Sequence, residues 1–323
     1  MKPSAIILGL TLLSSIASQA QAADGKISGY MFGDYYYNVS GPAEKQNGFQ
    51  FRRIYFTYDA RWNDKVSGRF RLEANDAGFG KKERMTPYVK ESSVTWKQEK
   101  GSLSAGLVPS LAWGFQEKFW GYRSVEKTLL DLHSKETKGT AVDLGISWTR
   151  KLGSSASISL VLGNGNGTSA ETDNDKKIAL QGLTKLGGLD AKVYADMQTQ
   201  KGGADQTTLA GFVGKGGEDL HGGLEGYYHV DKKSSAAGDD LKGFGVSLFG
   251  AKSVGEGKKV FARADVFEPN SDAADDQETL LIGGLDWALA KDLRLMPNVL
   301  VTLYQDSGKD TQIVPRLTGF FEF

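Results

Sequence analysis

Residues 53–62 read RIYFTYDARW. Ile54, Phe56, Tyr58, Ala60 and Trp62 occupy alternate positions, and Arg53, Tyr55, Thr57, Asp59 and Arg61 fill the places between them. Successive side chains of a strand point to opposite faces, whereas a helix would scatter both sets around its circumference. The stretch is therefore a strand with one apolar face and one charged face. The pattern continues in SGRFRLEAN (67–75), with Phe70, Leu72 and Ala74 against Arg69, Arg71 and Glu73. It returns around Leu144–Trp148, Leu189–Met197 and Val260–Val266.

The two faces decide the environment. Unpaired charge in a dry interior costs several kcal/mol per group, on the order of what a whole domain can spare. The charged face must therefore be wet. The apolar face mixes Gly, Ala, Leu, Val and Phe and gathers Trp62, Trp96, Trp148, Trp287 and Tyr228 near strand ends. A water-soluble sandwich also alternates, but aromatic strand ends suit a lipid boundary. Oil outside and water inside satisfy both faces, and closing the sheet satisfies every backbone hydrogen bond that lipid cannot.

About sixteen such segments can be counted, beginning near Lys26, Phe49, Val66, Tyr88, Ser102, Thr140, Ala156, Lys177, Leu189, Thr207, Leu220, Leu241, Lys259, Thr279, Leu293 and Thr311. Connections alternate between short (NDK, 63–65; GG, 187–188; AKD, 290–292) and long (39–48, 165–175, 268–277). Short turns on one rim and long loops on the other mark an outer-membrane barrel. The last stretch, RLTGFFEF (316–323), alternates Leu317, Gly319, Phe321 and Phe323 and is expected to close against KISGYMFGDYYYN (26–38). Pro297 and Pro315 each remove a ladder donor, so a bulge or strand end is expected at each.

Residues 1–22 carry Lys2, an apolar run from Ala5 to about Ala17 and Ala20-Gln21-Ala22. That is the form of a cleaved secretory signal peptide, leaving 23–323 as a single barrel domain. Acidic and basic residues balance at 39 each over the whole chain, so no global field selects nucleic acid. Cysteine is absent, which excludes disulfides and thiol chemistry. His221 and His229 are eight residues apart on one strand face, too far to share a metal. The acidic runs TDNDKK and DAADDQE (272–278) read as solvated. No cofactor, metal or catalytic residue is expected.

One connection breaks the rhythm. Residues 108–138 contain Trp113, Phe115, Phe119, Trp120 and Tyr122, too aromatic for disorder. Long loops inside compact domains are commonly functional. As the third long loop, this segment can fold into the bore and pack its rings on the wall, forming a constriction, with SVEKTLLDLH (124–133) as a short helical turn. An external cap or oligomer contact is the other reading of it. The fold class is thus all-β: a transmembrane antiparallel up-and-down β-barrel of about sixteen strands with a long third loop in the lumen.

That arrangement resembles the Gram-negative outer-membrane porins. FQFRRIYFTYDARWNDKVSGRFRLE (49–73), GLVPSLAWGFQEKFWGYRSVEKTLL (106–130), VFARADVFEPNSD (260–272) and LIGGLDWALAKDLRLMPNVLV (281–301) resemble the phosphate-selective porin O and P family. A lysine-rich ladder is not evident, so the resemblance carries the barrel and not phosphate as solute. It implies a homotrimer, and a terminal Phe323 read by the barrel assembly machinery.

The expected pore-lining set is Arg53, Asp59, Arg61, Arg69, Arg71 and Glu73 on the wall. The loop contributes Trp113, Phe115, Glu117, Lys118, Trp120, Arg123 and Glu126. Rings of charge and pore width set what passes; the arginines equally suit pairing with Asp59 and Glu73 as ordinary solvated wall charges. The expected function is passive diffusion of small hydrophilic solutes and ions, leaning weakly to anions, without catalysis. Lipid and lipopolysaccharide of a Gram-negative outer membrane surround the barrel. The rivals are a plugged structural or adhesive barrel and a barrel lipid hydrolase.

Overall fold

A computed structural model describes residues 24–234 and 238–323; the expected signal peptide lies outside the described residues. Each alternating segment is a strand: β1 (Asp24–Tyr37), β2 (Asn47–Arg61), β3 (Val66–Ala74), β4 (Tyr88–Gln98), β5 (Gly101–Pro109), β6 (Val142–Leu152), β7 (Ala156–Gly163), β8 (Lys177–Leu186), β9 (Leu189–Gln198), β10 (Gln206–Lys215), β11 (Leu220–Asp231), β12 (Leu241–Gly255), β13 (Lys258–Glu268), β14 (Glu278–Ala290), β15 (Leu293–Tyr304) and β16 (Gln312–Glu322). Every strand pairs with its neighbours in sequence, and β1 pairs antiparallel with β16 to close the barrel.

The apolar alternate positions face outward. Phe56, Leu144 and Val193 are all exposed, Val193 at 68%, as residues bathed in lipid must be. Trp62, Trp96, Trp148 and Trp287 stand near the short-turn ends of their strands, while Tyr35, Tyr37, Phe49 and Tyr228 stand near the long-loop ends. Aromatic girdles at both levels delimit the apolar band.

The third long loop, 110–141, enters the bore and carries two short helices, α1 (Gly114–Trp120) and α2 (Leu129–Leu132). The helical turn expected at 124–133 is α2. Helix α1 was not legible, because its rings repeat too densely to show a polar stripe. Gly121 ends it in the left-handed region (φ 70°), its N–H donating to Glu117 O at 3.0 Å; such a cap is least strained as glycine.

Neither proline ends its strand or forms a bulge, contrary to expectation. Pro297 and Pro315 are both exposed and lie within an unbroken β15–β16 register, at Pro297↔Leu317 and Val299↔Pro315. Each missing N–H is absorbed on the other side. The β14–β15 ladder has no pairs between Gly284↔Asn298 and Trp287↔Leu295. The β1–β16 ladder stops at Tyr36↔Arg316, just short of Pro315.

Closure has a side-chain lock. Gly29 N–H donates to Phe323 O and Phe323 N–H to Gly29 O, both at 2.9 Å. A Cβ on Gly29 would fall 2.4 Å from the Phe323 ring and 2.3 Å from Tyr55 O. Phe321 stacks beside Phe323 at 6.0 Å. Gly29→Val is therefore expected to lose about 1–3 kcal/mol to overpacking at the seam. Heat-modifiable mobility in detergent gels should show it unfolding at a lower temperature than wild type. Gly319→Ala, which meets nothing within 4 Å, should not.

Candidate functional site

Two irregularities build the charged wall. Phe32 pairs with Arg53 but Gly33 with Phe51, which leaves Arg52 as an extra residue. A bulge re-aims the side chains around it, so Arg52 and Arg53 both point into the bore. Likewise Arg71 pairs with Glu91 but Leu72 with Val89, and both Lys90 and Glu91 point inward. Strict alternation conceals Arg52 and Lys90. The sequence signal was the charged doublets Arg52-Arg53 and Lys90-Glu91, which no flat strand with one lipid face can accommodate.

These side chains interlock. Arg52 pairs with Asp34 at 2.6 Å, Arg53 with Glu73 at 3.2 Å, Lys90 with Glu73 at 2.9 Å and Arg69 with Asp59 at 2.7 Å. Arg71 donates to Thr57 Oγ1 at 2.9 Å, and its nearest carboxylate, Glu91, is 3.8 Å away. Aromatic rings brace the guanidiniums: Arg53 and Arg71 both lie over Tyr55, at 5.1 and 4.9 Å. Opposite them the loop carries its own pairs, Arg123 with Glu117 (3.3 Å) and Asp131 (3.2 Å), and Lys127 with Asp131 (3.5 Å).

Between wall and loop lies a slit of about 390 Å³ lined by Arg53, Arg69, Arg71, Glu73, Lys90, Glu91, Trp113, Glu117, Arg123, Lys127 and Asp131, with Tyr30, Tyr55 and Tyr88. Arg69, Glu91 and Pro109 also line a wider cavity of about 760 Å³ on the short-turn side, so the two adjoin at these residues.

Against β10, β12 and β13 the bore is filled. Trp120 packs edge-on against Phe249 and Phe261, Tyr122 stacks on Phe261 at 4.3 Å, and Phe115 and Phe119 pack on Phe212. Wall cations hold the loop backbone there. Lys192 donates to Ala112 O (2.5 Å) and Gln116 Oε1 (2.9 Å). Arg52 donates to Ser124 O and Val125 O, the Trp120 indole to Glu126 O, and Arg263 to Lys127 O. Four consecutive carbonyls, 124–127, thus each accept from a side chain.

Of the expected pore residues, Arg53, Arg69, Arg71, Glu73, Trp113, Glu117 and Arg123 line the slit. Asp59 and Arg61 stand lower, in the wider cavity; Arg61 is at the rim, paired with exposed Asp64 at 3.0 Å. Phe115 and Trp120 are packed against the wall instead. Lys118 is exposed on α1. Glu126 faces a separate cavity of about 370 Å³ bounded by β13–β16, with Arg316 at 3.5 Å. Burial alone would raise the Glu126 carboxyl, but Arg316 and Arg52 outweigh it and hold it below the usual carboxylate range. Burial pushes Glu117 up, with Arg123 opposing.

Among solved structures the fold is that of the outer-membrane porins. The chain is similar to the outer membrane channel DcaP of Acinetobacter baumannii (TM-score 0.68, 11% identity, covering 94% of this chain and 98% of that one). It is also similar to an anion-selective porin from Comamonas acidovorans (TM-score 0.67, 14% identity, 93% and 100% covered). A third likeness is to OmpT, an outer membrane protein of Vibrio cholerae, in its trimer form (TM-score 0.65, 14% identity, 94% and 100% covered). No protein-family model matches the sequence, and no curated protein matches it.

His133 stacks on Phe267 with ring centroids 3.5 Å apart. Burial, aided by the Arg263 charge, lowers its pKa from 6.5 to about 4. The unfolded loop therefore takes up a proton before the packed one does. The packing contribution is whole above about pH 6.5 and declines as pH falls toward 4. Limited proteolysis within 129–140 should rise on acidification from pH 7 to 4 in wild type. In His133→Phe, which keeps the stacked ring without the titration, the rise should be smaller.

Proposed function

We propose that this chain is a water-filled channel of a Gram-negative outer membrane, passing small hydrophilic solutes and ions by passive diffusion with a weak lean toward anions. The observation that carries the reading is the charged slit between the β2–β4 wall and the third loop, which adjoins a wider polar cavity toward the short turns. Its walls are charged, while aromatic packing against β10, β12 and β13 fills the opposite part of the bore and leaves a separate cavity beside β13–β16. In the slit Arg53, Arg69, Arg71, Lys90, Arg123 and Lys127 face Glu73, Glu91, Glu117 and Asp131; Asp59 holds Arg69 from the adjoining cavity, which leaves one cation in excess. Arg71 is the loosest paired of them, its nearest carboxylate lying 3.8 Å away.

Similar barrels include a channel and an anion-selective porin, and one in a trimer form; a homotrimer fits this reading. So do export by the N-terminal signal, assembly through Phe323 and contact with lipopolysaccharide at the long-loop rim. Kinship with the phosphate-selective porin O and P family rests on the early hairpin and third-loop motifs. Phosphate as solute is not part of the reading, because the wall arginines already hold carboxylates.

Planar-bilayer recording tests it. Purified protein should give stepwise conductance. A plugged barrel would give none, and a lipid hydrolase would show itself by cleaving acyl esters. In a KCl gradient, Arg71→Gln should lower the chloride-to-potassium permeability ratio by about fivefold, the Boltzmann factor of ~1 kcal/mol for unit charges about 4 Å apart in water. Arg61→Gln, at the rim, should leave the ratio unchanged.

A further inference from the structure

The charges facing the bore are largely held in ion pairs, but four on the outer face are not. Arg150 follows Leu144, Ile146 and Trp148 on the outward positions of β6. Lys215 follows Leu209 and Val213 on β10, and Lys252 follows Val246 and Leu248 on β12. Lys258 precedes Val260 on β13. All four are exposed and stand at the short-turn ends of their strands. No salt bridge joins any of them to a carboxylate among the described residues.

They sit at the level of the tryptophans. Lys258 pairs in register with Trp287 and lies 5.5 Å over its ring. Arg150, opposite Gly101, is one outward position beyond Trp148, which shares Leu103 as cross-strand partner with Trp96. Tryptophan belts mark the depth of lipid headgroups. Lys215, Lys252 and Lys258 lie within three strand spacings, about 15 Å along the rim.

We propose that this rim is a docking collar for anionic glycerophospholipid headgroups in the leaflet on the short-turn side. The cations meet lipid phosphate, and the tryptophans set its depth. A zwitterionic headgroup brings an ammonium that needs a carboxylate; none stands at these outward strand positions, and Glu218, Asp219 and Glu256 lie beyond them in the turns. The collar rests on the barrel standing in a bilayer; it is independent of conduction.

The test uses tryptophan fluorescence of the full barrel in phosphatidylcholine vesicles. These carry a minor fraction of either brominated phosphatidylglycerol or brominated phosphatidylcholine. Four of the six tryptophans are at this rim and report on it. At low salt the anionic quencher should bind about fivefold more strongly, the effect of one near-surface cation. The preference should vanish in 1 M NaCl, where charges are screened beyond about 3 Å. It should also vanish in the quadruple variant Arg150→Gln, Lys215→Gln, Lys252→Gln, Lys258→Gln, with single-channel conductance unchanged. Equal quenching by both lipids in wild type, or a preference that survives in the folded variant, overturns the collar. So does a barrel without lipid preference that co-sediments with purified peptidoglycan through these four residues, since the partner is then the cell wall. The salt comparison needs no variant, so the outcome stands even if the quadruple change fails to fold.

Discussion

A loop of thirty residues inside a barrel has backbone carbonyls that no sheet will satisfy, and the interior of this protein depends on who donates to them. Ser124, Val125, Glu126 and Lys127 offer four in succession, and Arg52, Trp120 and Arg263 answer from three sides. Lys192 does the same at the near end, on Ala112. Unmade hydrogen bonds at buried groups cost about 1–3 kcal/mol each, so a loop lacking these donors would lift away. Buried cations are poor sources of net stability, because desolvation consumes most of the attraction. Their use here is geometric: they fix where the loop lies.

That placement divides the bore. Rings from the loop and from β10, β12 and β13 interlock on one side, and dispersion between them leaves no room for water. On the other side the loop presents Glu117, Arg123 and Asp131 to a wall of arginines, and water remains. The slit is a consequence of this asymmetry. A loop packed evenly around its circumference would close the barrel; one anchored on a single side leaves a slit with opposite charges across it.

The same accounting of polar groups organises the outer surface. Inside, most of the cations around the slit and loop meet a carboxylate or carbonyl of their own chain. Outside, four cations without a salt-bridge partner stand at one rim at the level of the tryptophans, and the middle of the band is apolar. A charge at mid-depth of a lipid-facing strand costs about 2–4 kcal/mol, falling toward zero at the interface, so rim placement is what the bilayer permits.

Much of this was legible in the chain. A period of two with a charged alternate face demands a wet interior and an oily exterior, and that alone yields the barrel, its strand count and every strand start to within two residues. It placed Arg53, Arg71 and Glu73 on the wall, because their sign of exposure follows from a parity that sequence carries. It could not place Arg52 or Lys90, since a bulge inverts parity and depends on how two distant strands register. Nor could it show that Trp120 is spent on packing while Trp113 borders the slit, or that the ladder, not the strand, gives way at Pro297 and Pro315. Local alternation is a property of the chain; which loop carbonyl meets which wall cation is a property of closure, where residues 136 positions apart, such as Lys127 and Arg263, first come within reach.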